Sequence, residues 1–188
     1  DVNGLGLKMN GGTVEVAANT ANMVPPVADF DTTGNYQTKR KLKFSAAPAT
    51  HPLGEQSGGS DIGLDFSAYS TVFDTIELAH ATDFSADNIT LHSTQTLEIS
   101  ADIDAPGHNS ASGKVVTGTA TPTIKITGTT PTIDAIPGVL EDNNGNAITG
   151  ATLDIGADLA AINLSNKTVY STVDITSATN TTQITGVP

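Results

Sequence analysis

The sequence predicts an all-β fold, an antiparallel β-sandwich of jelly-roll or immunoglobulin-like type. Three observations carry this reading. Threonine, a β-branched residue suited to strands, occurs 29 times in 188 residues, whereas Lys and Arg together number only 8. Apolar and polar residues alternate in many short runs. The 18 Gly and 9 Pro interrupt the chain at short intervals, as turns between short strands require.

The runs follow in chain order. Leu5, Leu7 and Met9 open the series, followed by Val14 and Val16, then Ile62, Leu64 and Phe66. Ile76 and Leu78, then Ile89 and Leu91, come next. Leu97, Ile99, Ala101 and Ile103 form a longer run, and Ile124 with Ile126 and Leu153 with Ile155 form pairs. Val169, Ser171, Val173 and Ile175 close it. Each run places apolar side chains on one face of a strand and polar ones on the other. Strands with one wet face are commonest in antiparallel sheets, and two such sheets packed together bury the dry faces.

Turn signals separate the runs. Asn10-Gly11-Gly12 divides the first two, and Asp142-Asn143-Asn144-Gly145-Asn146 reads as a hairpin tip. Residues 54–60 and 105–113 read as surface loops, and Asp158 to Asn166 as one or two helical turns. Thr121-Pro122-Thr123-Ile124 recurs as Thr130-Pro131-Thr132-Ile133, read as two edge segments each opened by a proline. The expected organisation is an N-terminal strand over 1–12 and a single sandwich domain over 13–188.

Composition excludes several function classes. A net charge of −12 and a pI near 4.3 exclude a phosphate-binding face, hence nucleic acid. No run approaches the ~20 consecutive apolar residues of a membrane-spanning helix. The absence of cysteine removes disulfides and thiolate chemistry. The chain begins at Asp1, which reads as a mature chain after leader removal, extracellular or at the cell surface.

No catalytic motif is present, neither a nucleophile elbow nor a phosphate-binding glycine loop, so an enzyme is not expected. Of the four histidines, His51, His80, His92 and His108, none forms a metal-spaced pair; His80 and His92 could meet across a hairpin. Asp102 and Asp104 adjoin a loop, where solvated acids are ordinary. Asp142, Asn144 and Asn146 alternate like the opening of a calcium loop, but Ala147 stands at the glycine position and no Glu closes the loop. No cofactor is expected; calcium at Asp142, Asn144 and Asn146 is left open, as is a two-histidine metal site at His80 and His92. Asn88, Asn163, Asn166 and Asn180 each begin an Asn-x-Ser/Thr triplet and are candidate glycan acceptors.

Asp142 to Leu153 resembles a hairpin of bacterial immunoglobulin-like surface repeats, as in invasin-type adhesins, and that resemblance implies a β-sandwich. Two further segments point to assembly. Thr38 to Phe44 holds four of the eight basic residues, with Lys39, Lys41 and Lys43 on one strand face, a docking stripe for an acidic copy of the same chain. Residues 1–9, with Leu5, Leu7 and Met9, are strand-like at a free end and suited to insertion into a neighbour. At this level the chain resembles secreted pilus or biofilm-filament subunits assembled by donor-strand exchange. The expected function is a self-polymerising subunit of an extracellular filament. A viral capsid, tail or surface-layer subunit is one alternative, and an adhesin or carbohydrate-binding module the other.

Overall fold

A computed structural model describes residues 11–19, 24–30, 40–47, 64–157 apart from 129, then 159, 162–176 and 184–186. Twelve short strands are assigned among them, with no α-helix. They are β1 (Thr13–Val16), β2 (Arg40–Phe44), β3 (Phe73–Leu78), β4 (Asn88–Leu91), β5 (Thr96–Ile99) and β6 (Lys114–Thr117). The series continues with β7 (Thr123–Ile126), β8 (Leu140–Asp142), β9 (Ala151–Ile155), β10 (Ile162–Asn163), β11 (Tyr170–Ile175) and β12 (Ile184–Thr185).

The antiparallel β-sandwich, jelly-roll or immunoglobulin-like, is not what these strands form. Every ladder between them is parallel. The main sheet has seven strands in the order β1-β2-β3-β5-β7-β9-β11, the second has β4-β6-β8, and the third pairs β10 with β12. Antiparallel pairing among the described residues is limited to an isolated bridge between Glu141 and Ala147, which closes the expected hairpin at Asp142 to Asn146. Residues 1–10, the body of the expected donor strand, lie outside the described residues. Ile162 and Asn163, inside the expected helical turns, are strand.

From β3 onward the chain lays one strand on the main sheet, turns, lays one on another side, and returns one step further along. This is a parallel β-solenoid, with each strand crossing over through the other sides of its own coil. A third, narrow side stacks through the parallel bridge of Asp83 with Asp104 and through the Ala105 N–H, which donates to the Asp134 carbonyl at 2.9 Å.

Successive rungs of the main sheet are in register, so like side chains stack. One inward column is Val14, Leu42, Ile76, Leu97, Ile124, Leu153 and Val173; the other is Val16, Phe44, Leu78, Ile99, Ile126, Ile155 and Ile175. Ile89, Val115 and Leu140 form the facing column on the second sheet, and all three are buried. Each buried Leu or Ile contributes roughly 1.5–3 kcal/mol. The aromatic residues gather towards the first rungs: Phe30 meets Phe73 edge-on at 5.5 Å, and Phe44 lies 5.8 Å from Phe66.

Tight points between rungs are built from particular side chains. The turn from β4 to β5 is held by Gln95, whose amide donates to the carbonyls of Phe66 and Phe73 and accepts from the His92 N–H. Gly107, at φ 74°, faces Val139 and Gly113 so closely that a Cβ would lie 2.7 Å from Val139 Cγ2. On the next rung a Cβ at Gly138 would lie 2.9 Å from the Gly107 carbonyl oxygen.

Candidate functional site

The outward face of the main sheet carries a charged column in register: Glu15, Lys43, Glu77, Glu98, Lys125, Asp154 and Asp174. Beside it runs a column of threonines interrupted by Lys41. The Lys41 ammonium lies 2.8 Å from Glu77 Oε2 and 2.8 Å from Glu98 Oε1. Ser100 Oγ donates to Glu77 Oε1 at 2.7 Å, and Thr127 Oγ1 to Glu98 Oε1 at 2.8 Å. Lys43 stands 3.9 Å from Glu77, and Lys125 3.9 Å from Asp154.

Burial alone would raise the Glu77 carboxyl, but hydrogen bonds from Lys41 and Ser100, with the charges of Lys41 and Lys43, outweigh it and hold it below the usual carboxylate value. Burial alone would lower the Lys41 ammonium; its hydrogen bonds and charge pairing with Glu77 and Glu98 bring it above the ordinary lysine value. Of the basic stripe read from the sequence, Lys41 and Lys43 thus pair with carboxylates of their own chain, and Arg40 points inward and is buried. Lys39, like Leu5, Leu7 and Met9, lies outside the described residues.

The last main-sheet rung differs from the rest. The inward column is at most 4% exposed from Val16 to Ile155, yet Ile175 is 51% exposed. Val173 is half-buried, whereas Leu153 beneath it is fully buried. Among the described residues β11 closes the ladder order, and no described strand pairs with its far edge, which lies beside an apolar surface.

The alternating Asp142, Asn144 and Asn146 form a tight turn. Asp142 Oδ1 accepts the N–H groups of Asn144 and Asn146 at 2.8 Å each, and its Oδ2 accepts Asn146 Nδ2 at 2.8 Å. Hydrogen bonds from Asn146, then Asn144, hold this carboxyl below its ordinary value despite a small opposing effect of burial. Both Asp142 oxygens are engaged in holding the turn. Asn88, Asn163 and Asn166 are exposed; Asn163 Oδ1 accepts the N–H and hydroxyl of Ser165. Asn180 and His51 lie outside the described residues.

His80 follows β3 and His92 precedes β5, so they sit at opposite ends of adjacent rungs, each exposed and bonded to a nearby threonine. Among the described histidines, His108 is the one that meets carboxylates. The loop opened by Gly107 lays its ring over the narrow side, where Asp83, Asp104 and Asp134 come from three consecutive rungs. His108 Nε2 is 4.0 Å from Asp104 Oδ1 and Nδ1 is 3.5 Å from Asp134 Oδ1. A groove of about 370 Å³ alongside is lined by Asp83, Asp102, Asp104 and Asp134. Asp102 Oδ1 is occupied by the N–H and hydroxyl of Thr132. Hydrogen bonds from Ser85 hold the Asp83 carboxyl low, burial opposes them slightly, and His108 adds to the lowering.

Sequence reasoning did not assemble this corner. The available signal was Ile103-Asp104-Ala105-Pro106-Gly107, which returns as Ile133-Asp134-Ala135-Ile136-Pro137-Gly138. The two copies occupy the same corner on consecutive rungs.

Fold and site together define a parallel β-solenoid with a charged outer column, an acidic narrow side and a partly uncovered last rung. Among the described residues, no helix is long and apolar enough to cross a membrane. No protein-family model, curated protein or solved structure matches this chain.

Proposed function

We propose that the chain is a structural subunit of an extracellular filament in which copies stack end to end along the solenoid axis. The observation that carries this is the exposed Ile175 at the head of a column whose other members are buried. A further rung from a second copy would cover Ile175 and Val173, gaining roughly 1.5–3 kcal/mol per side chain fully buried. It would also pair the edge of β11 that no described strand occupies, by strand addition. A head-to-tail contact of this kind does not close on itself and yields a fibre. The Thr-rich, cysteine-free, acidic composition supports an extracellular setting.

The test is negative-stain electron microscopy and sedimentation of the purified chain beside Ile175→Glu. The expected result is concentration-dependent rods for the parent chain and short particles for the variant. Monomers at all concentrations, or equal rods from both proteins, refute the reading.

A further inference from the structure

The geometry points to a divalent transition-metal site at the narrow side of the solenoid, with His108 and Asp104 as ligands and Asp134 as the residue that orients the imidazole. A neutral imidazole has one N–H donor and one bare lone pair. Here both ring nitrogens face carboxylate oxygens, Nε2 towards Asp104 and Nδ1 towards Asp134. In either neutral tautomer one unprotonated nitrogen stands beside an anion, a conflict that a second proton or a cation removes. A cation bound at Nε2 keeps that resolution at a pH where the second proton is lost.

The spacing fits a metal better than a hydrogen bond. At 4.0 Å, Nε2 and Asp104 Oδ1 are too far apart for direct bonding. Two ligand atoms each about 2.0–2.2 Å from a shared tetrahedral ion lie about 3.3–3.6 Å apart, so a closing of the ring and carboxylate by about half an ångström seats an ion between these two. One donor atom from each of Asp104, His108 and Asp134 lies within 4.8 Å of the others. The other nitrogen, Nδ1, then carries the proton 3.5 Å from Asp134, where a slight turn of the ring completes the carboxylate–histidine–metal relay that fixes a ligand's tautomer.

The surroundings leave the position to an incoming cation. Neither Asp104 nor Asp134 meets a lysine or arginine among the described ion pairs. Lys167, the nearby cation, donates its ammonium to the Ile136 carbonyl and its charge bears on Asp134, not on Asp104, which leaves the Asp104 side of the ring for the ion. The acidic groove beside Asp104 admits water for the remaining coordination positions and raises the local concentration of divalent ions. One imidazole with carboxylate and water suits Zn²⁺ or Mn²⁺, whereas Ca²⁺ takes six to eight oxygens. The hairpin at Asp142 is separate from this corner and offers no imidazole.

The experiment is calorimetric titration of the metal-stripped full chain with zinc chloride, paired with imidazole ¹H–¹⁵N spectra of the same samples. One saturable site per chain is expected, with the His108 ring as the resonance pair that shifts. His108→Asn and Asp104→Asn should each weaken binding at least tenfold. Asp134→Asn should weaken it about 10–100-fold while leaving the His108 resonance responsive to zinc, the mark of a positioning residue. The Asp142→Asn chain should bind as the parent does. Absence of a saturable site, binding unchanged in His108→Asn, or a His108 ring that stays doubly protonated and indifferent to zinc at pH 7 overturns the assignment.

Discussion

Replacing Lys41 by Met tests the charged column directly. The substitution keeps the aliphatic length and removes the ammonium between Glu77 and Glu98, carboxylates on adjacent rungs whose side chains are only 8% and 11% exposed. Both lie 2.8 Å from the Lys41 nitrogen, so these two oxygens are at most about 5.6 Å apart. At an effective dielectric near 20, two such charges repel by roughly 3 kcal/mol. Removing one partner of a fully buried pair costs about 3–5 kcal/mol, and Lys41 is 28% exposed, so solvent offsets part of this. The expected loss is about 2–3 kcal/mol, or a fall in Tm of about 4–12 °C for a chain of this size.

The pH dependence has a definite sign. Glu77 titrates lower folded than unfolded, so its contribution in the parent chain is present above the unfolded value near 4.5 and is lost as pH falls through the folded value. Lys41 titrates higher when folded, so its contribution holds below the unfolded value near 10.5 and is lost as pH rises through the folded value. In Lys41→Met the two carboxylates repel, and protonating either relieves them. The stability gap between parent and variant should therefore narrow on acidification from pH 7 to 4. Adding Glu98→Gln to the variant should recover about half of the loss, measured by thermal unfolding in far-ultraviolet circular dichroism. A Lys41→Met chain within about 0.5 kcal/mol of the parent, or one that Glu98→Gln does not rescue, would falsify the argument.

Three further outcomes follow from other parts of the stack. Gly107→Ala should cost at least about 1–3 kcal/mol, because φ 74° disfavours a side chain and the new Cβ would meet Val139; unchanged stability would show that the loop shifts freely. Gln95→Leu should cost about 1–3 kcal/mol by removing the amide's bonds to the Phe66 and Phe73 carbonyls and the acceptor of the His92 N–H, read in the same melts. If copies stack β11 onto β1, Asp174 of one adjoins Glu15 of the next, so rods should lengthen from 0.02 M to 0.3 M salt as the repulsion is screened; shortening would place a different surface at the contact.

The strands themselves were legible in the sequence, but their direction was not. Val14 with Val16, Ile76 with Leu78, Leu97 with Ile99, Ile124 with Ile126 and Leu153 with Ile155 all stand where alternation puts them. A period of two states that one face is dry; it is the same for parallel and antiparallel partners. Parallel sheets usually have both faces covered and show continuous apolar runs, which made antiparallel pairing the natural expectation. A solenoid is the exception, because its sheet covers the coil interior on one face and meets water on the other. The discriminating signal was the repeat. Thr75-Ile76-Glu77-Leu78, Thr96-Leu97-Glu98-Ile99, Thr123-Ile124-Lys125-Ile126, Thr152-Leu153-Asp154-Ile155 and Thr172-Val173-Asp174-Ile175 share one pattern, returning at roughly 20–30 residues, the spacing of stacked coils.

The same geometry explains which site residues could be seen. Lys41 stood out as a basic residue in an acidic chain, but its partners Glu77 and Glu98 lie one and two rungs away, and only the register brings them to it. Asp104 and His108 are four positions apart, a spacing that says little in a loop, and Asp134 lies 30 positions from Asp104, beyond the reach of local spacing rules for metal ligands. In a solenoid, chemistry is assembled across rungs, at a sequence distance set by coil length. A search at that distance finds Ile103-Asp104-Ala105 above Ile133-Asp134-Ala135 without a structure. It does not find the tilt of the His108 ring, because that depends on Gly107 adopting a positive φ against Val139. Column membership follows from the repeat, whereas side-chain aim follows from the loops that break it, and the corner at His108 needs both.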